Sequence, residues 1–262
     1  MAQPPVLLET QALTRSFGGL TAVDNLDFVV RKDEIVSLIG PNGAGKSTVF
    51  NLISGIYPPT AGRILFKGVN IAGLKPDRVE RQGIARTFQT LRLFANMTVL
   101  ENVLVGFHSR LKSNVIEDLI RPPWVARAER DAVEEARQLL RMLGQRLYTQ
   151  QEFRAADLAY ADRRLLELAR AMASQPDLLM LDEPTAGMNP SEAADFMELI
   201  RRVHDRGFTI LLIEHNLSVV MGVSQRITVL DYGLKISEGT PDEVRRDERV
   251  IEAYLGRKAA TA

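Results

Sequence analysis

The sequence predicts an α/β fold with a substantially parallel sheet, an antiparallel β lobe and a helical subdomain inserted into the middle of the chain. Three observations carry that prediction. Short apolar runs alternate with helix-compatible segments over most of the 262 residues. A glycine-rich loop separates one such run from the helix after it. Between Thr98 and Ala173 the strand-like pattern stops.

Taken in order, the expected strands are Val6–Leu8, Leu26–Val30, Ile35–Ile39, Arg63–Phe66, Leu178–Leu181, Thr209–Ile213 and Ile227–Leu230. The first, second and fourth are short and bounded by turn residues (Gly18-Gly19, Pro58-Pro59, Gly62, Gly68), which suits an antiparallel lobe. A helix is expected over Thr48–Ser54. Val133, Ala136, Leu140 and Leu143 recur at helical spacing, with Glu129, Arg130, Asp131, Glu134, Glu135 and Arg137 facing outward, so an amphipathic helix should cover a core there. Arg121-Pro122-Pro123-Trp124 should mark a loop. One domain over residues 1–262 follows, with 1–89 and 174–262 as its α/β core and about 90–173 as the helical part.

Bulk composition narrows the function classes. Lys+Arg and Asp+Glu are 33 each, so no net field favours nucleic acid or anionic lipid. Without cysteine there is no disulfide framework and no thiolate metal site, in keeping with a reducing cytoplasm. Met1–Thr10 lacks the pattern of a signal peptide, and apolar runs such as Phe208–Ile213 fall short of the roughly 20 residues that span a bilayer. The expectation is a chain soluble by itself.

The decisive motif is Gly40-Pro41-Asn42-Gly43-Ala44-Gly45-Lys46-Ser47-Thr48, which reads Gly-x-x-x-x-Gly-Lys-Ser after the run Ile35–Ile39. Its glycines let backbone N–H groups curl around phosphate oxygens, and the following helix offers its positive end to the same anion. Lys46 would reach the β- and γ-phosphates, and the Ser47 hydroxyl would ligate Mg²⁺. Leu178–Leu181 ends in Asp182-Glu183. Carboxylates at the end of a buried strand are costly unless they hold a cation or accept protons. Beside a phosphate loop, Asp182 becomes the Mg²⁺ partner and Glu183 the group that orients or deprotonates the attacking water. His215 also follows an apolar strand, which would aim it into the carboxyl-edge crevice and toward a γ-phosphate, although a lone histidine is more often structural. Gln89 reads as readily as a surface amide as it does a sensor of water or metal. Leu91, Leu93 and Phe94 form an apolar cluster that is equally a partner surface or part of the helical core.

The ordered set Gly40–Thr48, Gln89, Leu158–Arg164, Leu178–Glu183 and His215 resembles the nucleotide-binding subunits of ATP-binding-cassette (ABC) transporters along nearly the entire chain. More narrowly it is similar to the LivG type, the first ATPase subunit of branched-chain (hydrophobic) amino-acid importers. Phe17–Val23, Gly83–Gln89, Glu183–Pro190 and the ending Ala253-Tyr254-Leu255-Gly256 carry that narrower likeness. The resemblance implies a P-loop NTPase core of the RecA-like kind, with ATP and Mg²⁺ as ligands. It also implies that Phe17 stacks on adenine and that Gln89 joins Ser47 and Asp182 near the metal while coupling the γ-phosphate to membrane subunits. Asn189 would lie in the loop linking two ATPase subunits, and Leu91, Leu93 and Phe94 would face a permease. The implied partners are a second ATPase subunit, two transmembrane permeases and, indirectly, a solute-binding protein outside the membrane. The implied location is the inner face of the cell membrane.

The signature segment departs from the family pattern. Where Leu-Ser-Gly-Gly-Gln or Leu-Ala-Tyr-Gly-Gln-Gln is usual, this chain has Leu158-Ala159-Tyr160-Ala161-Asp162-Arg163-Arg164. In this family that segment faces the nucleotide of the partner subunit, and Ala159 offers no hydroxyl there. Losing a hydrogen bond to a charged group weakens a contact by about 1.5–3 kcal/mol. Ala161 adds a methyl where glycine is usual, and Asp162 adds negative charge. A helix is expected from Arg164 to Ser174. The rivals are a urea or amide importer ATPase, a lipid or lipopolysaccharide exporter ATPase, and a non-transport ABC protein. Translation-type members normally carry two cassettes, chromosome-type members a long coiled coil, and a GTP switch would need an Asn-Lys-x-Asp reader; none of these occurs in this sequence.

Overall fold

The Phe17-Gly18-Gly19-Leu20 turn folds two long strands, Val6–Phe17 (β1) and Leu20–Arg31 (β2), back on each other in antiparallel register. Ile35–Ile39 (β3) then enters a second sheet. Ala61–Phe66 (β4) and Val69–Asn70 (β5) return to the first, giving the order β2-β1-β4-β5. The remaining strands are Ile84–Arg86 (β6), Leu178–Asp182 (β7), Thr209–Ile213 (β8), Arg226–Asp231 (β9) and Leu234–Gly239 (β10). With β3 they form a second sheet of order β10-β9-β3-β8-β7-β6, parallel except for the β9–β10 pair. All five residues of β3, β7 and β8 are buried, as expected of central parallel strands covered on both faces.

In this computed structural model residues 4–108, 110 and 123–259 are described. They divide into two compact units, Thr87–Pro176 and the rest. Both sheets belong to the larger unit and share one apolar core. It runs from Leu8, Phe28 and Phe66 through Phe50 and Leu52 to Leu38, Met180 and Leu211. The helices of that unit are Lys46–Ile53 (α1) and Pro76–Arg81 (α2), then, after the second unit, Pro190–His204 (α7), Leu217–Val223 (α8), Pro241–Arg246 (α9) and Glu248–Ala259 (α10). The second unit holds Val99–Gly106 (α3), Pro123–Leu143 (α4), Gln145–Thr149 (α5) and Tyr160–Ala173 (α6). Helix α3 starts on a reciprocal capping box between Thr98 and Glu101.

Several expectations change. Strands β1 and β2 are 12 residues each, because polar alternation through Thr10, Thr14 and Ser16 continues the pairing beyond the apolar stretches. Strands β5, β6 and β10 were not expected: β5 and β6 are too short to show a period, and β10 is a polar edge paired on one side only. Helix α1 begins at Lys46, so Lys46 and Ser47 lie in its first turn rather than before it. Helix α6 begins at Tyr160, four residues earlier than Arg164. Of the loop expected at Arg121–Trp124, residues 121 and 122 lie outside the described residues. Pro123 opens helix α4, where its missing N–H costs nothing. On α4 the fully buried stripe is Ala132, Ala136, Leu140 and Leu143, with Val133 half-buried beside it.

Candidate functional site

Three loops of the larger unit leave the carboxyl ends of β3, β7 and β8, adjacent central strands of the parallel sheet. The first holds Gly40–Thr48. A Cβ on Gly40 (φ +152°) would lie 2.1 Å from the Leu230 carbonyl oxygen, and one on Gly45 (φ +102°) 2.4 Å from that of Ala22. Glycine is therefore required at both positions, by close approach as well as by conformation. The loop is also tied to its surroundings: the Ala44 carbonyl accepts from Gly233 N–H (3.0 Å), and the Ala44 methyl is fully buried. Lys46 is 7% exposed and its ammonium donates to the carbonyls of Gly40 (2.7 Å) and Pro41 (2.9 Å). The loop thus carries its own cation. Asn42, Gly43 and Ser47 are exposed, Thr48 is half-buried, and the first turn of α1 contains no acid. The start of a helix offers backbone N–H groups and partial positive charge to an anion.

Asp182 ends β7 with its side chain 8% exposed. Arg86, the last residue of β6, donates to Asp182 Oδ2 at 2.7 Å from an equally buried side chain. The same guanidinium donates to Asn51 Oδ1 (2.8 Å) and Ser54 Oγ (2.9 Å) of the α1 region and lies 5.4 Å over the Phe50 ring. Mg²⁺ takes oxygen ligands and needs only one or two from protein when phosphates supply others. The Ser47 hydroxyl and the Asp182 carboxylate are donors of that kind, so the residues present fit the ion.

Glu183 follows at φ +47°, its N–H donating to the Ile213 carbonyl of β8 at 2.9 Å. Its carboxylate lies 3.8 Å from His215 Nδ1, and the His215 side chain is 58% exposed. Glu214, the residue before His215, is fully buried. Its carboxylate accepts from Thr185 N–H (2.9 Å), Thr185 Oγ1 (2.5 Å) and His215 N–H (3.1 Å), stitching the loop after β7 to the one after β8. Asn189 is exposed and caps α7: its side chain accepts from Glu192 N–H at 2.9 Å, and Glu192 reciprocates. Phe17 sits at the end of β1, 40% exposed rather than in the core. Its ring meets Tyr57 edge-on at 5.4 Å, with the Arg15 guanidinium 4.5 Å over it. At the foot of the phosphate loop, Tyr254 of α10 packs with Ile39, Val229 and Val250. Burial, with the Asp231 charge nearby, pushes its phenol up to about 12.

In the smaller unit the Gln89 side chain is exposed, but its carbonyl accepts from Arg164 at 2.7 Å. Arg164 also holds the Phe88 carbonyl (3.0 Å) and pairs with buried Glu167, whose carboxyl burial pushes above the usual carboxylate range. Ala159 stands at the N-cap of α6 with no side-chain cap, and Tyr160 is exposed. Leu158 is buried and Ala161 half-buried. Asp162, the added negative charge of the segment, is buried. Its carboxylate lies within the first turn and pairs with Arg146 at 3.1 Å, so its charge is compensated and favoured by the helix dipole. Leu91 and Leu93 are half-buried, whereas Phe94 is 48% exposed.

Arg86, Arg164 and Glu214 carry this organisation without having been singled out from sequence. The reasoning applied to Asp182, a carboxylate at the end of a buried strand, applies equally to Glu214 after Ile210–Ile213. Arg86 is an arginine closing the apolar pair Ile84-Ala85, a pattern visible only once that segment is known to be a strand.

A phosphate loop on a parallel sheet, with an acid pair and a histidine on neighbouring strand ends, defines a P-loop nucleotide-binding protein. The model of the ABC transporter family matches residues 23–186, and that of branched-chain amino acid ATP-binding cassette transporters matches residues 235–260. The high-affinity branched-chain amino acid transport ATP-binding protein LivG of Salmonella typhimurium is 47% identical over 98% of this chain and 99% of its own length. The corresponding BraF protein of Pseudomonas aeruginosa is 43% identical over the same shares. Among solved structures, an ATP-binding cassette of an ABC transporter in its ADP conformation superposes with a TM-score of 0.83 at 32% identity, covering 96% of this chain and 99% of that one. The chain therefore belongs to the ABC transporter ATP-binding proteins, in the group of the branched-chain amino-acid transport cassettes.

Proposed function

We propose that this chain is the ATP-hydrolysing motor subunit of an importer for branched-chain or other hydrophobic amino acids. One observation carries the reading: Gly40–Thr48, Asp182-Glu183 and His215 follow the adjacent strands β3, β7 and β8 in a chain that matches LivG along 98% of its length. Gly40–Thr48 cradle the phosphates, with Lys46 turning from its own loop carbonyls to the β- and γ-oxygens. Phe17 offers a ring face to the adenine. Ser47 and Asp182 would hold Mg²⁺, which would supply neutralisation of the phosphate charge. Glu183 orients and deprotonates the attacking water, a role worth about 10²–10⁴ in rate. His215 contacts the γ-phosphate, and buried Glu214 fixes the backbone of both loops that present Glu183 and His215.

Among the described residues no helix is long and apolar enough to cross a membrane, so the translocation path belongs to other subunits. The partners of this reading are two permeases, an external solute-binding protein and a second ATPase subunit. The pairing is heterodimeric, with the chain peripheral on the cytoplasmic face. The altered signature supports that pairing: Ala159 supplies no hydroxyl to the partner's nucleotide, whereas the site around Lys46 would face the partner's signature. Gln89, in the helical unit, relays nucleotide state toward the permeases.

Reconstitution with the permeases, the paired ATPase and the binding protein in liposomes tests the assignment. ATP-dependent uptake of leucine or isoleucine is expected. Uptake of urea or short amides in their place would reassign the solute.

A further inference from the structure

We propose that Arg86 is a positioning residue for the cation, holding Asp182 at a fixed place relative to α1, the helix whose first turn carries Ser47. The inference rests on the nucleotide-site reading above and concerns the larger unit alone. Arg86 and Asp182 are each 8% exposed in side chain and 2.7 Å apart, so neither charge can relax into water. A buried arginine that only neutralised Asp182 would need one contact. Arg86 makes three hydrogen bonds from two terminal nitrogens: one nitrogen to Asp182 on β7, the other to both Asn51 and Ser54 at the end of α1. Its guanidinium also lies 5.4 Å over the Phe50 ring of that helix. Ser54 is oriented in turn by donating to the Phe50 carbonyl at 2.7 Å.

The planar fork therefore fixes the end of β7 against the body of α1. Helix α1 supplies Lys46 and Ser47 from its first turn, and β7 supplies Asp182, so the distance that the fork fixes is the one a cation between Ser47 and Asp182 would sense. Partners that orient a metal ligand typically change metal affinity by about 10- to 100-fold when removed. Nucleotide binding without the metal draws on Lys46 and the loop backbone, which Arg86 does not touch in these bonds.

The test separates metal from nucleotide. Affinity of the full chain for a fluorescent ATP analogue is titrated in EDTA and again in Mg²⁺, and Mn²⁺ binding to the nucleotide-loaded protein is followed by electron paramagnetic resonance. For Arg86→Lys, which keeps the charge but loses the fork, we expect affinity in EDTA within about twofold of wild type and Mn²⁺ binding weakened about tenfold. Arg86→Met paired with Asp182→Leu replaces the ion pair by apolar groups and so protects folding. Relative to Asp182→Leu alone it should show no further loss of Mn²⁺ binding, because Arg86 acts through that carboxylate. Undiminished Mn²⁺ binding in Arg86→Lys, an equal fall in EDTA and in Mg²⁺, or a further loss in the double variant would overturn the proposal. If wild type gains nothing from Mg²⁺, the nucleotide-site reading itself fails.

Discussion

Arg164, the last residue of the signature segment, holds the backbone carbonyl of Gln89 at 2.7 Å and that of Phe88 at 3.0 Å. Two family motifs that lie 75 residues apart are thereby fastened inside one unit. The fastening is buried: Arg164 is 4% and Glu167 2% exposed, and the Glu167 carboxylate accepts from the Phe88 N–H at 3.3 Å. Any displacement of α6 must pull the Gln89 segment with it, which is a mechanical reason for the two motifs to share a unit.

Arg164→Met leaves Glu167 buried without its nearest cation. Breaking a buried pair on one side costs about 3–5 kcal/mol. We expect chemical denaturation to show a loss of that order, part of it recovered in the Arg164→Met/Glu167→Gln variant. A loss below about 1 kcal/mol, the scale of surface pairs, would show that the pair is not holding the segment.

Lys46→Ala should abolish useful Mg·ATP binding, because Lys46 is the cation the loop itself holds in place. Charge-assisted bonds of this kind are worth about 1.5–3 kcal/mol each, so affinity should fall at least about 10- to 100-fold. A fluorescent-nucleotide titration with unchanged affinity would remove Gly40–Thr48 as the site.

The apolar cluster after Gln89 separates into two kinds of residue. Phe94 is 48% exposed, with Arg170 5.8 Å from its ring, while Leu91 and Leu93 are half-buried. Phe94→Asp is expected to leave a folded subunit that binds ATP and fails to assemble with the permease. Leu93→Asp should lower the melting temperature as well. Normal assembly of the Phe94→Asp variant in a detergent pull-down would exclude Phe94 from the docking surface.

Tyr254 gives a pH dependence. Its phenol ionises near 10.0 when exposed and at about 12 in the fold, because burial disfavours the phenolate. The neutral form is the one the fold favours, so this stability is fully present below pH 10.0 and is lost as pH rises through about 12. Stability of Tyr254→Phe should therefore fall less steeply than wild type over that interval. Parallel curves for the two proteins would mean that Tyr254 is not buried at the foot of the phosphate loop.

Much of the site was legible because its chemistry is compressed into short strings. Gly40–Thr48 names its own conformation, and Asp182-Glu183 marks the end of a buried strand. The central strands Ile35–Ile39 and Thr209–Ile213 have the bounds expected, since a continuous apolar run leaves little choice. What stayed hidden was pairing over long separations. Nothing local in Ile84-Ala85-Arg86 points to Asp182, 96 residues away. Asp162 reads from sequence only as an added negative charge; its burial in the first turn of α6 and its pairing with Arg146 show only in the fold. Edge strand β10 and three-residue β6 escaped because edges and very short strands need neither alternation nor a long apolar run.

The central claim is that hydrolysis at the site built on Lys46 and Glu183 drives transport. ATP turnover and leucine uptake measured together in liposomes carrying the assembled complex test it most directly. Glu183→Gln keeps the shape of the side chain and removes the base, so both rates should fall together by about 10²–10⁴ while ATP affinity persists. The same change at the equivalent glutamate of the paired ATPase should cost less, because its site would be completed by the signature bearing Ala159. Turnover within a few-fold of wild type in Glu183→Gln, or equal losses from the two subunits, would contradict it.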